Sequence, residues 1–121
     1  MAESIERNPV EATGWTRTRR LRHYYLAMPY MYILRCADGS YYTGSTVDMD
    51  RRLAQHQAGL GAEYTKHRRP VSVAFAQWHE RVEDAFVSEK RVQGWSRAKK
   101  EALMRGDTAE IRRLSQRPRR G

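Results

Sequence analysis

The sequence predicts an α+β fold: a β-hairpin early in the chain, a third strand further on, and helices between and after them. Three observations predict it. Two runs rich in strand-forming residues, 30–36 and 41–46, flank Asp38-Gly39. A third run, 71–78, alternates Val71, Val73 and Phe75 with Ser72, Ala74 and Ala76. The stretches between and after these strands carry apolar residues at helical spacing, bounded by cap residues.

The first strand, Tyr30-Met31-Tyr32-Ile33-Leu34-Arg35-Cys36, places Tyr30, Tyr32 and Leu34 on one face and Met31 and Ile33 on the other. Asp38-Gly39 is a strong hairpin signal because both positions tolerate positive φ. The returning strand ends on Tyr42-Thr43-Gly44-Ser45-Thr46, with Gly44 expected as a turn glycine. Asp48 is the expected N-cap of a helix from Met49 to about Ala58, stopped by Gly59. Met49 and Leu53 form its core stripe, and Arg52 and His56, at i and i+4, sit together beside it. Gly59-Leu60-Gly61 reads as a flexible turn, and 62–70 as a loop holding Tyr64, Lys66, His67, Arg68 and Arg69.

A second helix is expected from Val82 to Gly94 or Trp95, with Val82, Ala85, Phe86 and Val92 on its apolar face. Glu89 falls on that same face. A carboxylate is costly to bury unless it is paired or binds a metal, so Glu89 either lies at a wet margin or has a function. Ser96 caps a third helix, Arg97–Arg105, stopped by Gly106. Asp107 with Glu110 resembles a capping box opening a short terminal helix with Ile111 and Leu114.

At 121 residues the chain has room for one domain with a modest core, plus tails. Residues 1–28, interrupted by Pro9 and Gly14, read as a disordered extension; their basic and aromatic part, Arg17 to Tyr25, is a lesser candidate for nucleic-acid contact. Met28-Pro29 is a further candidate, as an alternative translation start. The domain proper is expected over 29–106, and a short helix and basic tail over 107–121. No apolar run approaches the roughly 18 residues of a membrane span. The N-terminus has no apolar secretory core. With Cys36 alone no internal disulfide can form, which fits a reducing cytoplasm. The net charge of +9 and isoelectric point near 10.2 point to an acidic partner, nucleic acid first.

Familiar chemical signatures are missing. No phosphate-binding Gly-rich loop is present, and one cysteine with four histidines makes a zinc site a poor fit. Cys36, in mid-strand, reads as structural. What remains is Tyr32, Tyr42, Arg52, His56 and Glu89. Phosphodiester cleavage needs an activated water, a cation for the charged phosphorus centre and help for the leaving oxygen. Arg52 can pair with phosphate through its planar fork, and Glu89 can hold one divalent metal. A tyrosine serves as base only if its pKa of about 10 is brought down or its proton has an acceptor, and His56 or the metal can do that.

The ordered set Tyr30-Met31-Tyr32, Tyr42-Thr43-Gly44, Arg52, His56 and Glu89 resembles the GIY-YIG nuclease family. The likeness is to its small stand-alone bacterial members, similar to the nuclease domain of the excinuclease C subunit. It extends to the stretches 32–40, Arg51-Arg52-Leu53-Ala54-Gln55-His56, Tyr64-Thr65-Lys66 and Arg69-Pro70, and covers about residues 29–106. The resemblance implies a three-stranded antiparallel sheet flanked by helices, with the active site on the sheet face. By it, Tyr32 matches the general-base tyrosine, Tyr42 the tyrosine that positions water or phosphate, and Arg52 the phosphate-binding arginine. His56 stands where members use a histidine to assist the tyrosine, Glu89 matches the metal ligand, and Gly44 keeps the turn open beside the site. Two departures stand out: the first motif lacks its leading glycine, and Val92-Gln93 replaces the Ile-Lys of many relatives.

The expected function is therefore endonucleolytic hydrolysis of DNA in repair or recombination, with Mg²⁺ or Mn²⁺, by a cytoplasmic monomer. Arg51, Arg52, Lys66, Arg68 and Arg69 are the expected nucleic-acid contacts. The rivals are a nucleic-acid-binding module that keeps the fold without turnover, and an interaction domain that delivers a partner nuclease.

Overall fold

A computed structural model describes residues 28–116. The expectations for the N-terminal extension and for the tail from Arg117 lie outside those residues. The order of elements is β1 (Tyr30–Arg35), β2 (Tyr41–Thr46), α1 (Met49–Gln57), α2 (Glu63–Lys66), β3 (Ser72–Trp78), α3 (Val82–Gln93), α4 (Arg97–Arg105) and α5 (Thr108–Ser115). The sheet is three-stranded and antiparallel, in the order β2-β1-β3. This is the α+β architecture expected from the sequence.

The central position of β1 explains its composition. Both of its faces are covered, so every residue from Tyr30 to Leu34 is buried. One face joins Tyr30, Tyr32, Leu34 and Cys36 to Met28, Met49 and Val71, with Leu53 and Val73 packed against them. The other joins Met31 and Ile33 to Val92 of α3, with Phe75, Trp95 and Leu103 alongside. Met28 thus already belongs to the core.

Four local expectations are corrected. Of the two hairpin positions that tolerate positive φ only Gly39 takes one, of 84°, in a loop that Cys36 and Ser40 close. Asp38 instead braces the loop by accepting hydrogen bonds from the Ser40 N–H and hydroxyl. In β3 the pairing slips between Ile33 and Leu34, which face Phe75 and Val73. This bulge leaves Ala74 unmatched, so Val73 and Phe75 pack on opposite faces rather than alternating on one. The loop 62–70 contains the one-turn helix α2. Gly44 lies within β2, paired with Tyr32, and not in a turn.

Helix α1 starts where Asp48 accepts from the Arg51 N–H (3.0 Å). Ser96 caps α4 through the Lys99 N–H, and Gly106 ends it in the left-handed region at φ 72°. Asp107 caps α5 through the Glu110 N–H, but the Glu110 carboxylate grips Arg113 instead of closing the box.

Helix α3 is rotated from its expected face. It buries Ala85, Ser88, Glu89 and Val92, while Val82 and Phe86 stand half exposed. The helix packs on β2 and β1, and this contact turns the small and polar residues towards the edge strand.

Candidate active site

The site grows from Tyr32, fully buried at the middle of the central strand. Its neighbour on β2 is Gly44, and a Cβ there would lie 2.5 Å from the Tyr32 hydroxyl oxygen. Gly44 therefore leaves room for the tyrosine ring; no unusual backbone angle is involved. The phenol oxygen meets two side chains of α1. It lies 2.9 Å from His56 Nε2, and Arg52 Nε donates to it at 3.4 Å. One helical turn separates Arg52 and His56, so both reach the same atom.

Burial pushes the Tyr32 pKa up to about 12, against the lowering effect of Arg52. His56 is completely buried, and burial, followed by the neighbouring Arg52 charge, lowers its pKa to about 4. At neutral pH the resting pair is a neutral phenol beside a neutral imidazole. On its other nitrogen, His56 Nδ1 lies 2.7 Å from Thr65 Oγ1 in α2.

Tyr42 completes an aromatic cluster, its ring centre 5.4 Å from His56 and 6.5 Å from Tyr32. Burial raises its pKa, Arg52 lowers it and Glu89 raises it. Tyr64 stacks on Tyr42 at 6.1 Å, and the Arg68 guanidinium lies 3.8 Å above the Tyr64 ring.

A cleft of about 400 Å³ opens beside these groups, lined by Ser45, Asp48, Arg51, Arg52 and Gln55 among others. Arg52 is steered there by Gln55, whose side-chain oxygen accepts from Nη1 at 3.0 Å. Glu89 approaches from α3 around the β2 edge and is 9% exposed. Ser45 donates to its Oε1 (2.6 Å) and Gln93 Nε2 to its Oε2 (2.7 Å). Lys90 Nζ stands 3.7 Å from Oε2. Ser45 thus joins the carboxylate to the cleft. The Glu89 charge also reaches the phenols, raising both tyrosine pKa values.

Among the described residues no three His, Cys, Asp or Glu side chains cluster to hold a metal. One carboxylate, oriented by Ser45 and Gln93 with the Lys90 ammonium beside it, can serve Mg²⁺, which keeps several waters and binds through one or two carboxylates plus substrate phosphate.

The structure gathers Tyr32, Tyr42, Arg52 and His56 into direct contact and brings Glu89 to the neighbouring strand edge. The expected nucleic-acid contacts divide. Arg51 and Arg52 line the cleft, whereas Lys66 and Arg69 line a separate hollow of about 560 Å³ with Gln57, His67 and Pro70. Arg68 is drawn into the fold by Asp38 and the Tyr64 carbonyl. Arg69 donates to the carbonyls of Lys66 and Gln57.

Sequence reasoning gave no role to Ser45, Gly61, Tyr64 or Thr65. Their signal lay in Tyr64-Thr65-Lys66 and in Ser45 directly after Gly44. Gln93, read as the loss of a lysine, instead orients Glu89 and ties it to the Thr43 carbonyl (3.3 Å).

Residues 28–102 match the family model of the GIY-YIG catalytic domain. A UPF0213 protein of Halobacterium salinarum is 45% identical over 76 residues, 63% of this chain and 99% of the relative. One of Streptococcus pneumoniae is 47% identical over 75 residues, 62% of this chain and 76% of the relative. The solution NMR structure of a UPF0213 protein from Bacillus halodurans is 40% identical. It covers 74% of this chain and 99% of that one, with a TM-score of 0.44.

Proposed function

Because the chain belongs to the GIY-YIG catalytic-domain family, we propose that it is a metal-dependent endonuclease that hydrolyses phosphodiester bonds in DNA. The observation that carries this reading is the three-way meeting of the Tyr32 hydroxyl, His56 Nε2 and Arg52 Nε at 2.9 and 3.4 Å. A structural tyrosine has no need of a buried imidazole and a guanidinium on one oxygen. A base that must pass on its proton beside an anionic substrate needs both.

In this mechanism a backbone phosphate enters the cleft and pairs with Arg52. Its negative charge offsets the Arg52 guanidinium, which after burial is the second cause of the low His56 pKa, and so favours protonation of the imidazole when substrate is bound. Tyr32 takes a proton from the attacking water as its own proton moves to His56 Nε2. The water oxygen forms the new bond to phosphorus, the bond to the departing sugar oxygen breaks, and that oxygen takes a proton from solvent, while His56 returns its proton to Tyr32 and the one taken from the water passes from Tyr32 to solvent. Tyr42, held by Tyr64, positions water and phosphate. Glu89 would hold the Mg²⁺ or Mn²⁺ ion, which supplies charge neutralisation at the phosphate and the leaving oxygen. Arg51 contacts the adjoining backbone.

The purified full chain tests this reading against single-stranded, branched and duplex DNA and matched RNAs, with and without Mg²⁺ or Mn²⁺. Cleavage of DNA should require the metal, and Glu89→Ala should abolish it while circular dichroism shows an unchanged fold. A wild-type protein that cuts none of these substrates removes the enzyme reading and leaves a binding module. Cutting confined to RNA removes the DNA assignment.

A further inference from the structure

The hydrogen bonds around His56 define which of its nitrogens carries the proton. Thr65 has one hydroxyl proton, and its Oγ1 donates to the Ala62 carbonyl at 3.1 Å. The same oxygen, 2.7 Å from His56 Nδ1, is then the acceptor of that contact, so Nδ1 bears the hydrogen. The far end of the ring accommodates the same tautomer. The Tyr32 oxygen already accepts from Arg52 Nε, and its own proton has His56 Nε2 as acceptor at 2.9 Å. A hydrogen on Nε2 would leave the Tyr32 proton without that acceptor. The lowered pKa of His56 keeps the ring in its neutral form at neutral pH.

Gly61 holds the imidazole against this partner. A Cβ at residue 61 would lie 2.8 Å from both Cγ and Cε1 of the His56 ring, and closer still to Nδ1. Thr65 is itself completely buried, so water does not substitute for it freely. The Gly59-Leu60-Gly61 turn and α2 together form a fitted seat for one edge of one ring.

We infer that Thr65, with the ring seated on Gly61, is a positioning residue that fixes His56 as the Nδ1–H tautomer and so keeps Nε2 as the acceptor for the Tyr32 proton. The consequence for cleavage rests on the nuclease reading; the tautomer itself does not. When the Tyr32 proton moves to Nε2, both ring nitrogens carry hydrogen and Thr65 continues to accept from Nδ1. The seat therefore serves both states of the ring without rearrangement.

Nitrogen-15 NMR of the full-length protein at neutral pH, without metal or substrate, reads the tautomer directly. The His56 resonances are assigned by their loss in His56→Gln. The wild type should show a protonated Nδ1 and an unprotonated Nε2. Thr65→Val should shift the ring towards the Nε2–H form and lower cleavage on the order of 10²-fold, the scale of general-base catalysis. Thr65→Ser should restore both. If the valine variant does not fold, Thr65→Cys, a weak acceptor of similar size, should give a mixed tautomer. An Nε2–H wild type overturns the inference, as does an unchanged Nδ1–H tautomer in the valine or cysteine variant. If the tautomer is as inferred and no nucleic acid is cut, the positioning role stands and the nuclease reading fails.

Discussion

At the scale of single residues, one oxygen atom organises the site. Tyr32 fills the core with its ring, while its hydroxyl touches His56 and Arg52. These two roles are separable by Tyr32→Phe, which keeps the ring. Cleavage should fall by about 10²- to 10⁴-fold, and stability should drop only by about 1–3 kcal/mol, for the unpaired His56 nitrogen. Thermal melts beside single-turnover rates check both halves. Gly44→Ala should damage both properties together, since its methyl group would meet the Tyr32 hydroxyl. His56 also gives a pH signature. Its folded pKa, about 4, lies below its ordinary value of 6.5, so the unfolded chain binds the extra proton between those values. The contribution of the buried neutral ring is full above pH 6.5 and lost as pH falls towards 4, up to about 3 kcal/mol in all. Denaturant titrations across that window should show a slope that is smaller in His56→Gln.

At the scale of elements, the same sequence was legible in some places and opaque in others, for physical reasons. The caps at Asp48, Ser96 and Asp107 are written in local chemistry and form as expected. Tyr32, Tyr42, Arg52, His56 and Glu89 were identifiable because their order and spacing are distinctive. The β3 bulge and the roll of α3 were not legible, since each depends on what an element packs against. Helical periodicity placed Phe86 and Val92 on one face, but the rolled helix buries only Val92. Val92→Ala should therefore cost about 2 kcal/mol, whereas Phe86→Ser should stay within about 0.5 kcal/mol; equilibrium unfolding of the two variants compares them. The roles of Thr65 and Gly61 were not legible because a loop and a glycine turn without periodicity do not announce the ring they seat.

At the scale of the molecule, a central strand buried on both faces holds the phenol, one helix supplies the arginine and histidine, and another brings a carboxylate around the sheet edge. The chain carries a net charge of +9, and Arg51 and Arg52 bring positive charge to the cleft itself. Affinity for DNA should consequently fall steeply with salt, and Arg51→Ala should reduce the slope of log K against log salt by about one. Helix α4 braces the hairpin from outside: Glu101 accepts from the Tyr41 hydroxyl at 2.9 Å, and Arg97 donates to the Gly39 carbonyl at 2.8 Å.

In the proposed nuclease the meeting of Tyr32, His56 and Arg52 is catalytic and Glu89 is the metal ligand. Single-turnover DNA cleavage over a Mg²⁺ titration, comparing wild type, Tyr32→Phe and Glu89→Ala, tests it most directly. The wild type should cut only with metal, the chemical step should be at least about 10²-fold slower in Tyr32→Phe at saturating metal, and Glu89→Ala should show no metal-dependent cutting. Equal rates in wild type and Tyr32→Phe, or an unchanged Mg²⁺ response in Glu89→Ala, would contradict it.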